Sequence, residues 1–224
     1  MKKTLLAFCL TASILPAMAQ VSFGPELGIN LSNYTAKANG IKSTITTAVP
    51  GIRVGGIVQA HIAGPLYVQP GLLFVRNGYT ISGISLLSGQ VENMHAKVNT
   101  IELPANLLYD IRIGGSNLLA GIGPYVACNV SGKYVLTDIT LPMHIGNGIN
   151  DDVKPIDAGL GLTACYEIGM KAFIRVHYQR SLLNQQPQGN ADNVIHNVNY
   201  GVSVGYLFGG DQKIKHTKQH RTMH

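Results

Sequence analysis

Apolar and polar or small residues alternate with a period of two along eight separate stretches of this chain. The first sets Phe23, Pro25, Leu27, Ile29 and Leu31 against Gly24, Glu26, Gly28, Asn30 and Ser32. Side chains on a strand point alternately to its two faces, so such a run predicts a strand with one apolar and one polar face. The same pattern recurs over Ile52–Ile62, Leu66–Asn77, Val98–Tyr109, Leu118–Val130, Ile156–Glu167, Ala172–Gln179 and Val198–Phe208. Most of these runs have the roughly 9 to 11 residues that a tilted strand needs to cross a bilayer. Pro70, inside the third run, is a residue that a central strand does not readily accept, because it has no N–H for the ladder.

The connections alternate in length. Ala63-Gly64-Pro65, Gly114-Gly115-Ser116 and Gly169-Met170-Lys171 are tight-turn signals, whereas residues 35–50, 78–97, 131–154 and 184–197 read as long loops. An up-and-down transmembrane barrel has this arrangement, with long loops outside the cell and short turns in the periplasm. The predicted fold is therefore all-β, an eight-stranded antiparallel up-and-down transmembrane β-barrel.

Composition fits this reading. The chain is 46% hydrophobic and only 12% charged, with 26 glycines, yet its one long apolar run is at the start. There Lys2 and Lys3 precede an apolar stretch from Leu5 to Leu15, and Ala17-Met18-Ala19 offers a small-residue cleavage site before Gln20. This is the pattern of a Sec signal peptide. Pro16 breaks the run, which falls short of the roughly 20 residues of a membrane helix. Cys9 follows Phe8, not the small residue that a lipoprotein signal requires, and leaves with the signal. The expected organisation is a signal peptide over residues 1–19, a barrel over 20–209 and a basic, disordered periplasmic tail over 210–224. The formal charge of +6 sits largely at the ends: Lys2 and Lys3 supply two, the tail a net three, and the barrel region keeps +1. No nucleic-acid footprint follows from that distribution.

Glu26, Arg53, Glu102, Asp157, Glu167 and Arg175, with His61 and His177, fall on the polar face. Eight strands enclose a space that side chains can just fill, and buried charges must be paired or hydrated. A polar lumen network through Glu26, Arg53, Glu102, Asp157, Arg175 and His177 is expected, rather than a catalytic acid–base pair. Tyr34, Tyr109, Tyr178, Tyr200, Tyr206 and Phe208 are expected in the aromatic girdles where a barrel meets the membrane interface. Gly159-Leu160-Gly161-Leu162-Thr163-Ala164 matches a dinucleotide-binding expression, but that fingerprint needs a helix after it and here the alternation continues. His216, His220 and His224 recur at every fourth residue of the tail with no other ligand beside them, and they read as tail rather than metal site. Cys128 and Cys165 fall on opposite faces, far from one another along their strands, so no disulfide is expected. The chain offers no sign of a metal, a cofactor or catalytic residues.

Taken in order, the segments GPELGINLSNY, LYVQPGLLFVRNGY, NTIELPANLLYDI, LLAGIGPYVACNVSGKY, FIRVHYQRSLLN and VNYGVSVGYLFG resemble the PorT-like outer-membrane β-barrel family, itself similar in architecture to small OmpA-type and OmpX-type barrels. The resemblance covers nearly all of Val21 to Gly209. It implies an outer-membrane location in a Gram-negative-type cell and an eight-stranded barrel, and it carries over no catalytic residue. Such barrels commonly end at a terminal aromatic, here Phe208, whereas this chain continues for sixteen residues to His224. The expected function is that of a non-enzymatic barrel serving adhesion, binding or envelope integrity. Its expected partners are outer-membrane lipid, the barrel assembly machinery and an extracellular ligand at the four long loops. A small porin-like channel or secretion-associated factor, and a barrel enzyme of the acyltransferase or protease type, are the alternatives.

Overall fold

The computed structural model describes residues 21–38, 41–43, 46–85, 91–113, 116–136, 139–168, 171–189 and 193–209. The expected signal peptide with its cleavage site at Ala17, Ala19 and Gln20, Cys9, and the tail with His216, His220 and His224 lie outside them. Eight long strands form the wall: β1 (Val21–Ala38), β3 (Thr46–Ala63), β4 (Leu66–Ser85), β5 (Val91–Ile113), β6 (Ser116–Val135), β8 (Ile156–Ile168), β9 (Ala172–Ser181) and β10 (Val194–Tyr206). The short β2 (Ile41–Ser43), β7 (Thr140–Pro142) and β11 (Phe208–Gly209) pair with β1, β6 and β1 respectively.

Each long strand is antiparallel to its neighbours in chain order. The sheet then closes on itself, with β1 paired to β10 from Glu26↔Gly205 to Lys37↔Val194. Closure removes both sheet edges, and in lipid, where nothing else can satisfy backbone groups, a closed ladder is what lets strands cross. Among the described residues no helix is long and apolar enough to do so.

The alternation sorts residues as the sequence suggests. On β8, Leu160, Leu162 and Tyr166 face outward and are exposed, while Asp157, Gly159, Gly161, Thr163, Cys165 and Glu167 are buried inside. On β5 the outward set from Ile113 to Ile101 is apolar throughout. At roughly 3.3 Å per residue and a tilt of about 40°, that run climbs about 30 Å, comparable with the apolar band of a barrel wall. Gly64 turns the chain between β3 and β4 with φ of 54°, a backbone conformation that glycine adopts without strain.

Pro70 is accommodated by a local gap. It pairs with Ala105 of β5, while the β3–β4 ladder omits it and resumes from Gly71↔Ile57 to Val68↔Ala60. The missing N–H therefore interrupts one ladder without shifting the register.

The long loops expected over 35–50 and 78–97 are in large part strand, whereas those over 131–154 and 184–197 are strand only in part. β1 runs on to Ala38 and β3 starts at Thr46, β4 and β5 leave only residues 86–90 between them, β6 reaches Val135, and β10 starts at Val194. Apolar alternation reports contact with lipid and ends where lipid ends. The hydrogen-bonded ladder has no reason to stop there, so the wall projects beyond the bilayer.

Tyr34 is a second correction. It is 4% exposed and faces inward, its ring 4.9 Å from that of Tyr79. Its even number places it on the face of Glu26, Asn30 and Ser32, and the pleat holds that parity to the end of the strand. Tyr109, Tyr178, Tyr200, Tyr206 and Phe208 all face outward. Phe208 stacks near both Phe23 and Tyr206 at the end of the wall where β1 begins.

Candidate functional site

The interior is filled in three layers. Near the short turns, Ile57, Leu108, Leu119, Cys165, Phe173 and Leu207 form an apolar cluster inside the lumen, with Tyr67 packed against it. These residues interrupt the polar face, and their pattern of apolar residues on both faces was the signal available in the sequence. Phe173 fits because Gly205 has no side chain where a Cβ would meet its ring. Around the cluster, Gln69 donates to Gln59 (2.8 Å) and Gln59 donates to Glu167 (3.0 Å).

The middle layer brings together Glu26, Arg53, Glu102 and Arg175 with two residues that charge patterning did not single out, Gln179 and Ser203. Arg53 Nε lies 3.2 Å from Glu26 Oε1 and its Nη1 3.0 Å from Glu102 Oε1. Arg175 Nε is 3.4 Å from Glu26 Oε2, and the Arg175 guanidinium stands 5.3 Å from the centre of the Phe173 ring. Ser203 donates to Glu26 (2.8 Å), and Gln179 donates to Glu102 (2.9 Å). Two carboxylates face two guanidinium groups, so the layer is neutral. It joins β1, β3, β5, β9 and β10, and the Gln179–Glu102 bond runs across the lumen between strands that are not neighbours in the ring.

Asp157 belongs to a separate, upper layer. It accepts from Tyr125 (3.2 Å), Gln185 (3.0 Å) and Ser181. Gln185 in turn accepts from Asn129 (3.3 Å), whose Oδ1 accepts from Thr100 (2.9 Å). Gly159 makes room here, since a Cβ on it would lie 2.7 Å from Tyr125 Cε1. Gly159 and Gly161 thus belong to a continuous β8 paired with β6 and β9, and the dinucleotide expression has no turn or helix to act through. His177 is buried in the lumen wall, and His61 lies near the β3–β4 turn with its Nε2 2.8 Å from the Gly64 carbonyl.

Above these layers the segment from β7 to β8 folds inward as a cap. Met143 and Val153 are buried against Ala96 and Val98, with Tyr79, Tyr134 and Ile145 packed around them. Ile145 and Val153 bridge each other, and Asp152 accepts from the His144 N–H at 2.8 Å. Residues after β9 complete the cap: Lys154 N–H donates to the Gln185 carbonyl (3.0 Å), and Gln185 N–H to that of Ile195 (2.8 Å). Beneath it a cavity of about 20 Å³, bordered by Tyr34, Tyr79, Tyr134 and Asp152, has room for about one water.

Cys128 faces outward and pairs with Ile156, while Cys165 faces the lumen and pairs with Leu119. Nine register positions therefore separate them on adjacent strands, far more than a disulfide spans.

A closed ring of strands with an apolar outer band and a polar, filled interior defines a transmembrane β-barrel. The family model described as outer membrane protein beta-barrel domain matches residues 16–185, and the chain belongs to that family. It is an integral outer-membrane barrel. No curated protein matches it. Among solved structures it is similar to Ail, the attachment invasion locus protein of Yersinia pestis, in complex with the heparin analogue sucrose octasulfate, at 12% identity with a TM-score of 0.45, covering 84% of this chain and 99% of that one. It is also similar to OprG of Pseudomonas aeruginosa (16%, TM-score 0.44, 84% and 96% covered). A third is Neisserial surface protein A (11%, TM-score 0.46, 82% and 97% covered).

Proposed function

We propose that this chain is a non-enzymatic surface barrel, of PorT-like kind, whose extracellular rim carries out adhesion, binding or envelope support while its lumen stays shut. The reading includes Sec export with cleavage before Gln20, and insertion by the barrel assembly machinery. The observation that carries it is the Glu26–Arg53–Glu102–Gln179 chain, which crosses the lumen and ties opposite sides of the wall together. Buried carboxylates and guanidinium groups that pair with one another in this way are committed to structure. Ser181, the hydroxyl nearest a carboxylate inside, is likewise held by Asp157 and by the Leu183 carbonyl.

Reconstitution tests the reading. The purified barrel should give no steady current in planar bilayers and release neither fatty acid nor peptide from outer-membrane substrates, and cells displaying it should lose any gain in surface binding when residues 139–155 are replaced by a short Gly-Ser turn. A steady unit conductance in the intact protein would make it a channel, and turnover of lipid or peptide would make it an enzyme. The mass of the mature chain should correspond to a start at Gln20.

A further inference from the structure

Above the apolar band, on the outside of the wall, three cations converge on adjacent strands. The top of the band is marked by Phe74, Ile101 and Cys128, which stand side by side on β4, β5 and β6. The next outward row is polar apart from Val130, the extra residue of a bulge in β6: Arg76 opposes Asn99, which opposes Ser131. Arg76 donates to Asn99 (3.0 Å), and Asn99 donates to Ser131 (2.9 Å), which fixes the guanidinium against the wall. One row higher, Lys97 and Lys133 face each other directly, with Gly78 on the far side of Lys97 offering no side chain to cover it.

Like charges opposed across two strands sit with Cβ atoms roughly 4.5 to 5.5 Å apart and repel. No acid of the described wall compensates them. β4 and β6 contain no Asp or Glu, and Glu102 and Asp110 of β5 are buried. Glu92, the remaining acid of β5, stands about 16 Å farther up the strand than Lys97, beyond the screening length of roughly 8 Å. None of the three cations forms an ion pair among the described residues.

We propose that Arg76, Lys97 and Lys133 form a binding site for the phosphorylated headgroup of an outer-leaflet glycolipid. This rests on the orientation used above, with the capped end of the barrel outside the cell. The cations lie one and two rows above side chains embedded in lipid, so whatever neutralises them must hold its anion at the edge of its own apolar part. A headgroup phosphate does this, with its acyl chains against Phe74 and Ile101. A soluble polyanion could meet the charges but gains nothing from the apolar row beneath.

The test is lipid retention by the folded, full-length mature barrel in detergent. Native mass spectrometry should detect bound bisphosphorylated lipid A, and the triple variant Arg76→Gln, Lys97→Gln, Lys133→Gln should bind it about a hundredfold more weakly, since each cation near an anionic surface contributes about a factor of five to ten. The Lys97→Arg, Lys133→Arg variant should retain it, as should Arg112→Gln, which removes a cation near the opposite end of the wall. The unchanged heat-dependent gel shift of each variant establishes that it folds. Equal retention by the triple variant, equal binding of dephosphorylated lipid A, or stronger binding of heparin or inorganic phosphate than of the lipid would overturn the proposal. A measured channel current would remove the shut-lumen reading and leave this site standing.

Discussion

Arg53 is the residue on which the interior turns, because its one guanidinium serves Glu26 and Glu102 from opposite sides. Removing one partner of a buried ion pair leaves a charge without compensation and costs about 3 to 5 kcal/mol. Arg53→Met should therefore destabilise the barrel by about that amount in urea titrations in detergent, with Arg175 still holding Glu26. Adding Glu102→Gln should recover most of the loss, because the orphaned carboxylate disappears while Glu26 stays paired with Arg175. A cost below about 1 kcal/mol for Arg53→Met would mean that water already solvates this layer. The wall offers a matching contrast at two adjacent residues. Leu162 faces lipid and Thr163 faces the lumen, next to the β9 strand that carries His177. Leu162→Arg should make insertion into vesicles less favourable by about 2 to 4 kcal/mol, the cost of an arginine on the lipid face near the midplane. Thr163→Arg should instead spare insertion and alter the packing within; equal effects on insertion would invert the face assignment.

At the scale of elements, the strands divide into a membrane part and a projecting part, and the cap closes the latter. Met143 and Val153 bury themselves over Tyr79 and Tyr134, so replacing residues 139–153 with a short linker should expose both rings. Nitration of Tyr79 and Tyr134 by a water-soluble reagent should accelerate several-fold, while bilayer current stays at baseline because the middle layer is untouched. A current that opens on cap removal alone would make the cap a gate and the middle layer permeable. The cap was hard to read from sequence because its contacts join residues far apart in the chain: Met143 with Ala96, and Lys154 with Gln185. The strand ends beyond the bilayer leave little trace in the sequence for a related reason. Above the bilayer the outer face meets water while the inner face packs under the cap, so the apolar-outside pattern fades although the ladder persists.

For the whole molecule, ring closure between β1 and β10 means that no strand can leave without breaking two ladders. The folded barrel should withstand carbonate extraction of outer membranes and migrate differently on gels before and after boiling. Recovery in the soluble periplasmic fraction would contradict the architecture itself.

The alternation of Phe23 to Ser32 and its seven successors determined the number of strands, their inward and outward faces and the up-and-down order. These are local properties: the pleat sets the face of every residue, and apolar side chains must meet lipid. It also contained the answer for Tyr34, whose parity with Glu26 puts it inside. What the tertiary structure decided is which inward residues meet. Glu26 and Arg175 are distant in sequence yet lie 3.4 Å apart, whereas Asp157 is held by Tyr125, Ser181 and Gln185 in a layer of its own. Strand register and tilt set the height of each side chain in the lumen, and they depend on the summed pairing of all eight strands around the closed ring. No single stretch of sequence carries that sum.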